Sequence, residues 1–98
     1  RYKFDLHGFT LDEANNKVRE IIEYCVKNKF KELLLITGKG IHSTSDEDVY
    51  ISKNLGKLKY SIPEFIKTSE LNKFITSINN AEKKDGGEGA IIIRLKNL

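Results

Sequence analysis

Glu32-Leu33-Leu34-Leu35-Ile36-Thr37, closed by Gly38, is the stretch on which the fold turns. A leucine-rich run without polar alternation reads as a strand covered on both faces, or as one at the centre of a sheet with helices packed on it. Upstream, Thr10-Leu11-Asp12-Glu13 has the form of a capping box: the Thr10 hydroxyl can accept from the backbone N–H of Glu13 while the Glu13 carboxylate reaches back to the cap. Leu11, Ala14, Val18, Ile21, Ile22, Cys25 and Val26 then recur at helical spacing, which predicts a helix over residues 11–28.

Past Gly38 the pattern weakens. Val49, Tyr50 and Ile51 fit the start of a helix capped near Asp46, against which Asn54 and Gly56 count. Phe74 to Ile78 and the run Ala90-Ile91-Ile92-Ile93-Arg94-Leu95 predict two further strands, over residues 73–79 and 90–96. Between them lies a polar loop, Asn80 to Gly89, that carries Gly86, Gly87 and Gly89. No internal repeat or low-complexity segment occurs.

The chemistry-bearing residues sit beside these elements. Asp5 and His7 are two apart on an extended segment, so their side chains share a side, and a carboxylate next to an imidazole suits general acid/base work. Three roles are open to Asp5: capping the turn at Gly8, holding a His7 tautomer, or binding a metal. Thr37-Gly38-Lys39-Gly40 sets a lysine between two glycines directly after the leucine run, where bare backbone can approach a phosphate and an ammonium can neutralise it. The G-x-x-x-x-G-K-[ST] pattern is absent, which argues against nucleotide hydrolysis. An acid/base pair and a phosphate cradle together predict chemistry on a phosphodiester. Asp46, Glu47 and Asp48 could bind a divalent cation, but three consecutive carboxylates in a polar loop are more often solvated, and the alternation of a calcium loop is missing.

Taken in order, Asp5-Leu6-His7-Gly8, Thr37-Gly38-Lys39-Gly40, Ile62-Pro63-Glu64-Phe65-Ile66 and Gly86-Gly87-Glu88-Gly89-Ala90 resemble the Smr domain, the small MutS-related module, over nearly the whole chain. Two positions depart: the family usually has histidine where this chain has Asp85, and tryptophan where it has Phe65. The resemblance puts the second helix over residues 57–67, with Leu58, Ile62, Phe65 and Ile66 on one face and a kink or an early 3₁₀ turn to accommodate Pro63. Residues 41–56 are then a long loop, expected to act as a flap beside the site. The element order becomes β-α-β-α-β-β. It implies an α/β two-layer sandwich with a mixed four-stranded sheet, strands one to three parallel and the fourth antiparallel, similar to the C-terminal domain of bacterial initiation factor three. Strands one to three then end at one edge of the sheet, where the start of the first helix adds free N–H groups and a positive dipole end.

The activity that the resemblance implies is that of an endonuclease domain cleaving or nicking nucleic-acid phosphodiester bonds; one obvious carboxylate is thin support for a metal site, which slightly favours RNA over DNA. Asp5 and His7 are its expected catalytic residues. Gly8, Thr37, Gly38, Lys39, Gly40, His42, Gly86, Gly87 and Gly89 are expected to contact nucleic acid. With RNA, His7 would take the proton of a 2′-OH and no cofactor is needed; with DNA, Mg²⁺ or Mn²⁺ held by a carboxylate such as Asp5 would activate water. The alternative is a non-catalytic module that binds nucleic acid or protein. Ribosome- or repair-related partners, a monomeric domain and a cytoplasmic location complete the expectation.

Composition sets looser bounds. The 98 residues fit one domain, and a start at Arg1 without any methionine suggests a domain cut from a longer chain. Seventeen basic and 14 acidic residues give a net charge of +3, which permits nucleic-acid binding without requiring it. Lysines 27, 29, 31, 39, 53, 57, 59 and 67 and the acids at 12–13 and 46–48 could form separate faces. The single cysteine excludes an internal disulfide, and Cys25 falls on the apolar helix face, where it is expected to be buried and inert. No run of apolar residues is long enough to cross a membrane, no Cys/His cluster has zinc spacing, and only Phe9 and Tyr50 suggest themselves for base stacking.

Overall fold

The computed structural model describes residues 1–38 and 58–96. Along the chain come β1 (Tyr2–Asp5), α1 (Leu11–Lys27), β2 (Glu32–Ile36), α2 (residues 58–68), β3 (Ile75–Asn80) and β4 (Ala90–Leu95). The strand order in the sheet is β1-β2-β4-β3; β1 runs parallel to β2, and β4 runs antiparallel to both its neighbours. The first three strands therefore point the same way and the fourth opposes them, the mixed sheet expected from the element order.

Strand position follows apolar content. β2 and β4, with buried Leu33, Leu34, Leu35, Ile91, Ile92 and Ile93, occupy the two central places, whereas β3, Ile-Thr-Ser-Ile-Asn-Asn, takes an edge. A central strand has both faces covered and both sets of backbone groups paired, so it suits an unbroken aliphatic run; an edge tolerates the amides of Asn79 and Asn80. Alternate residues of the two central strands divide between two cores. Leu33, Leu35, Ile91, Ile93 and Leu95 pack with Val18, Ile22 and Cys25 of α1 and Leu58, Ile62 and Ile66 of α2, so both helices lie on one face. On the other face Leu34, Ile92, Ala90 and Ala81 form a small second cluster, with Ile36 against it.

The helices start and stop for local reasons. Glu13 N–H donates to Thr10 Oγ1 at 3.2 Å and Thr10 N–H donates to Glu13 Oε1 at 2.9 Å, completing the capping box of α1. α1 ends in a Schellman turn, where Phe30 N–H reaches the Cys25 carbonyl and Lys29 N–H the Val26 carbonyl, with Lys29 left-handed at φ 60°. Pro63 lies inside a run that is helical throughout residues 58–68, and among the described residues the 3₁₀ turn of this region comes after the helix, over Glu70–Phe74. Ser69 caps that turn by accepting from Leu71 N–H at 3.2 Å, which delays β3 to Ile75 from the expected residue 73. Phe65, at the position where tryptophan is usual, packs against the main core with the Arg19 guanidinium 5.5 Å from its ring centroid.

Candidate nucleic-acid interface

The carboxyl ends of β1 and β2 and the start of β4 form one row, in which Asp5 pairs with Ile36 and Ile36 with Ala90. Beyond that row, backbone bonds continue to tie the loops together. Leu6 N–H donates to the Ile36 carbonyl at 2.7 Å, while Thr37 and Gly38 N–H both donate to the Gly89 carbonyl, at 2.8 and 3.0 Å. The Thr37 hydroxyl is buried in the same junction, 3.2 Å from the Gly38 carbonyl and 3.4 Å from that of Gly89. Ala81 N–H closes the far side on the Ala90 carbonyl at 3.1 Å. The segments 5–8, 37–38 and 81–89 thus share one edge, the edge at which open α/β sheets bind ligands.

Leu6 is fully buried in the main core, and this anchors the turn that follows. Gly8 takes φ +89°, a backbone conformation that side-chain-bearing residues rarely adopt, and nothing lies within 4 Å of where its Cβ would be. Asp5 Oδ1 accepts from His7 N–H at 2.8 Å. Of the three roles open to Asp5, its carboxylate therefore performs the first: it holds the backbone of the turn. The His7 side chain is exposed and forms no hydrogen bond among the described residues. It stands at one end of a shallow groove that continues along the first turns of α1 past Glu13, Lys17 and Glu20.

The start of α1 is less open to an anion than expected, because the chain supplies its own. Asp12 and Glu13 place carboxylates in the first turn, and Thr10 takes the Glu13 N–H. Lys17, the cation of the groove, pairs with Glu20 at 3.1 Å and lies 5.5 Å from the Phe4 ring centroid. Phe9 is half-buried and packs edge-on against Phe4, centroids 6.0 Å apart, so it belongs with the core rather than with a stacking surface.

Asp85 points away from the shared edge. Its carboxylate meets the Arg1 guanidinium at 3.0 Å, Arg1 also reaches Glu32 at 2.6 Å, and Glu32 lies 3.4 Å from Arg94. These bonds, that to Asp85 foremost, raise the Arg1 pKa above its ordinary value. The loop 81–89 is thereby fastened over the face of the sheet that the helices leave open. Gly86 and Gly87 both have positive φ, +115° and +53°, and Gly89 is buried at the junction with β2. Lysines 27, 29 and 31 sit at the opposite edge, around the end of α1 and the start of β2, and Lys59 and Lys67 belong to α2. The described lysines of the expected face are therefore divided, and Lys53 and Lys57 lie outside the described residues. Lys39, Gly40, His42, Tyr50 and the expected flap at 41–56 lie outside the described residues.

Among the described residues no group of three or more His, Cys, Asp and Glu side chains is arranged to hold a metal ion, and no helix is long and apolar enough to cross a membrane. Cys25 is fully buried, and burial pushes its thiol up to about 11.

The model of the Smr domain matches residues 4–96. The chain belongs to the Smr domain family. Its fold is similar to the crystal structure of the Smr domain of Thermus thermophilus MutS2, with a TM-score of 0.75 and 24% identity over 98% of this chain and 99% of that one. YdaL from Escherichia coli, a stand-alone small MutS-related protein, is similar at a TM-score of 0.69 and 18% identity, over 96% of this chain and 63% of that one. A comparison with curated proteins gives no match. In this Smr domain the Asp-Leu-His-Gly turn is tied to β2 through the Ile36 carbonyl, and Thr37-Gly38 is tied to the 81–89 loop through the Gly89 carbonyl.

Proposed function

We propose that this Smr domain binds a nucleic-acid strand across the carboxyl edge of its parallel strands and that His7 acts there as general acid/base on a phosphodiester. Membership of the family supports a nucleic-acid-related role. The observation that carries the reading is the junction at Gly89, whose carbonyl gathers Thr37 and Gly38 while the neighbouring turn presents an exposed His7. In this reading Asp5 positions His7 through the backbone, and Gly8, Gly38 and Gly87 leave the strand room to approach. Gly86 and Gly89 hold the loop beneath, and Lys39, with Gly40 and His42, supplies phosphate contacts from the motif. RNA is the favoured substrate. Its 2′-OH provides an internal nucleophile whose proton a single imidazole can accept. In this reading the step at His7 needs no resident metal, and the Asp5 carboxylate is engaged by the His7 backbone N–H.

A second reading, a binding module without catalysis, is favoured by the Arg1–Asp85 pair: where the family usually has histidine, this chain has a carboxylate engaged elsewhere. Incubation of the domain with labelled single-stranded RNA and with supercoiled DNA, each with and without EDTA, separates the two. His7→Ala is expected to lower RNA cleavage by roughly 10² to 10⁴ with affinity nearly intact. Lys39→Ala should weaken binding and reduce its salt dependence by about one phosphate contact. No cleavage of either substrate under any metal condition, with Lys39→Ala still lowering affinity, gives the binding reading its place.

A further inference from the structure

A second groove lies away from His7, between α2 and the edge strand β3. Its helix wall is formed by two rows at four-residue spacing, Lys59-Pro63-Lys67 and Tyr60-Glu64, and its other wall by Ile78, Asn79 and Asn80. Tyr60 is 70% exposed, the largest exposure of any large apolar side chain described, and the Lys59 ammonium lies 5.9 Å from its ring centroid. Lys59 and Lys67 are eight residues apart, which on a helix separates them by about 12 Å along the axis. Two cations beside an exposed aromatic ring, opposite the exposed amide of Asn80 on the helix-side face of β3, combine phosphate neutralisation, base stacking and base-edge hydrogen bonding in one concave surface.

The position of the groove matters as much as its lining. α2 starts at the carboxyl edge and β3 ends there at Asn80, next to the Ala81–Ala90 bond that closes the site edge. With the order β1-β2-β4-β3 and strands about 4.8 Å apart, His7 and Asn80 stand on the order of 15 Å from each other across that edge. A strand crossing from His7 over Gly38 and Gly89 would arrive at the mouth of this groove. We infer that the α2–β3 groove binds the flanking single strand of the nucleic acid whose phosphodiester lies at His7. This rests on the proposed function and adds to it the path of the substrate.

A peptide added as a fifth strand on β3 is the competing occupant. β3 carries an irregular register between Ile75 and Ser77, which twists an edge away from regular pairing, and the cations of the groove match phosphates better than an uncharged backbone. Glu64, between the lysines, suits a base amino group rather than a phosphate, since a carboxylate accepts from the exocyclic amine of cytosine.

The test is fluorescence anisotropy with 5′-labelled single-stranded RNA of about 4 and about 16 nucleotides, lengths bracketing the usual site sizes of single-strand binders. The wild-type domain should bind the longer strand far more tightly. Lys59→Glu/Lys67→Glu should lower affinity for it at least tenfold and flatten the slope of log K against log salt by about 1.4, two contacts at roughly 0.7 each. Tyr60→Ala should lower affinity with the slope unchanged. Lys27→Glu/Lys31→Glu makes the same change in net charge at the opposite edge and should leave affinity within twofold. Equal losses in the two double variants, an unaffected Lys59→Glu/Lys67→Glu protein with native melting behaviour, or no preference for the longer strand would overturn the inference. Binding that depends on Lys59, Lys67 and Tyr60 without any cleavage would sustain the groove while removing the nuclease reading.

Discussion

Asp5 holds its turn through a single bond, from His7 N–H to Oδ1 at 2.8 Å, and this one contact links the stability of the domain to the chemistry proposed for His7. Asp5→Asn keeps an acceptor of the same shape, whereas Asp5→Ala releases the His7 backbone. We expect Asp5→Ala to cost about 1 kcal/mol in urea unfolding and to reduce any His7-dependent cleavage, with Asp5→Asn retaining most of both. Equal losses in the two variants would assign the charge of Asp5, rather than its positioning of His7, the main role. The sequence alone left Asp5 with three roles, because strand alternation says which side a carboxylate faces but not whether a backbone N–H two residues on will capture it. Cys25 was legible from its helical spacing, and its burial yields a pH prediction. The folded state raises the thiol from 9.0 to about 11, so it holds the proton more tightly than the unfolded chain. This contribution is complete below pH 9 and is lost as the pH rises through about 11, by roughly 1 to 3 kcal/mol. The stability gap between wild type and Cys25→Ala should therefore narrow over that window; a constant gap would mean that the thiol is not desolvated.

Among the elements, α1 was the most legible, since the capping box fixes its start and the expected end at residue 28 became the C-cap Asn28. What followed the cap was not legible. Lys29 occupies the left-handed position of the Schellman turn at φ 60°, where glycine is the usual residue, because Phe30 must turn back to donate to the Cys25 carbonyl at 2.9 Å and to pack against Tyr2. A side chain in that conformation costs about 1–2 kcal/mol, and the extra freedom of glycine in the unfolded chain returns part of it. Lys29→Gly should stabilise the domain by about 0.5–1 kcal/mol, read as a raised urea midpoint with an unchanged slope. The last two strands were found from their apolar runs, but their places in the sheet were not, although the contrast between Ala90-Ile91-Ile92-Ile93 and Ser77-Ile78-Asn79-Asn80 held the information. The 3₁₀ turn before β3 escaped because Leu71 and Phe74, with Ser69 as its cap, carry no strand or helix period.

At the scale of the whole molecule, the shared edge was legible because parallel strands joined through helices must end on the same side. The course of the loop 81–89 was not, since it depends on a contact between residues far apart in sequence, Arg1 and Asp85. That loop holds the domain together twice, covering the small second core with Ala81 and presenting the Gly89 carbonyl to Thr37 and Gly38. Gly86 is where both functions meet. At φ +115° it is already in a region hostile to side chains, and a Cβ there would stand 3.0 Å from Ala90 Cβ and 3.7 Å from Ile36 Cδ1. Ala90 Cβ is fixed to a central strand and cannot swing aside, so the loop itself must move. The displacement would pass through the Gly89 N–H to Gly86 carbonyl bond of 2.9 Å into the junction that carries the β2 turn. Gly8→Ala, with positive φ but open space around it, should cost only about 1 kcal/mol, whereas Gly86→Ala adds overpacking and should cost about 2–4 kcal/mol. Native-state hydrogen exchange supplies the decisive readout: the Thr37 and Gly38 amides should lose protection in Gly86→Ala beyond what its global destabilisation accounts for, and should keep it in Gly8→Ala. Matching costs in the two variants, with those amides equally protected, would show that the loop and the β2 turn are not coupled through Gly89.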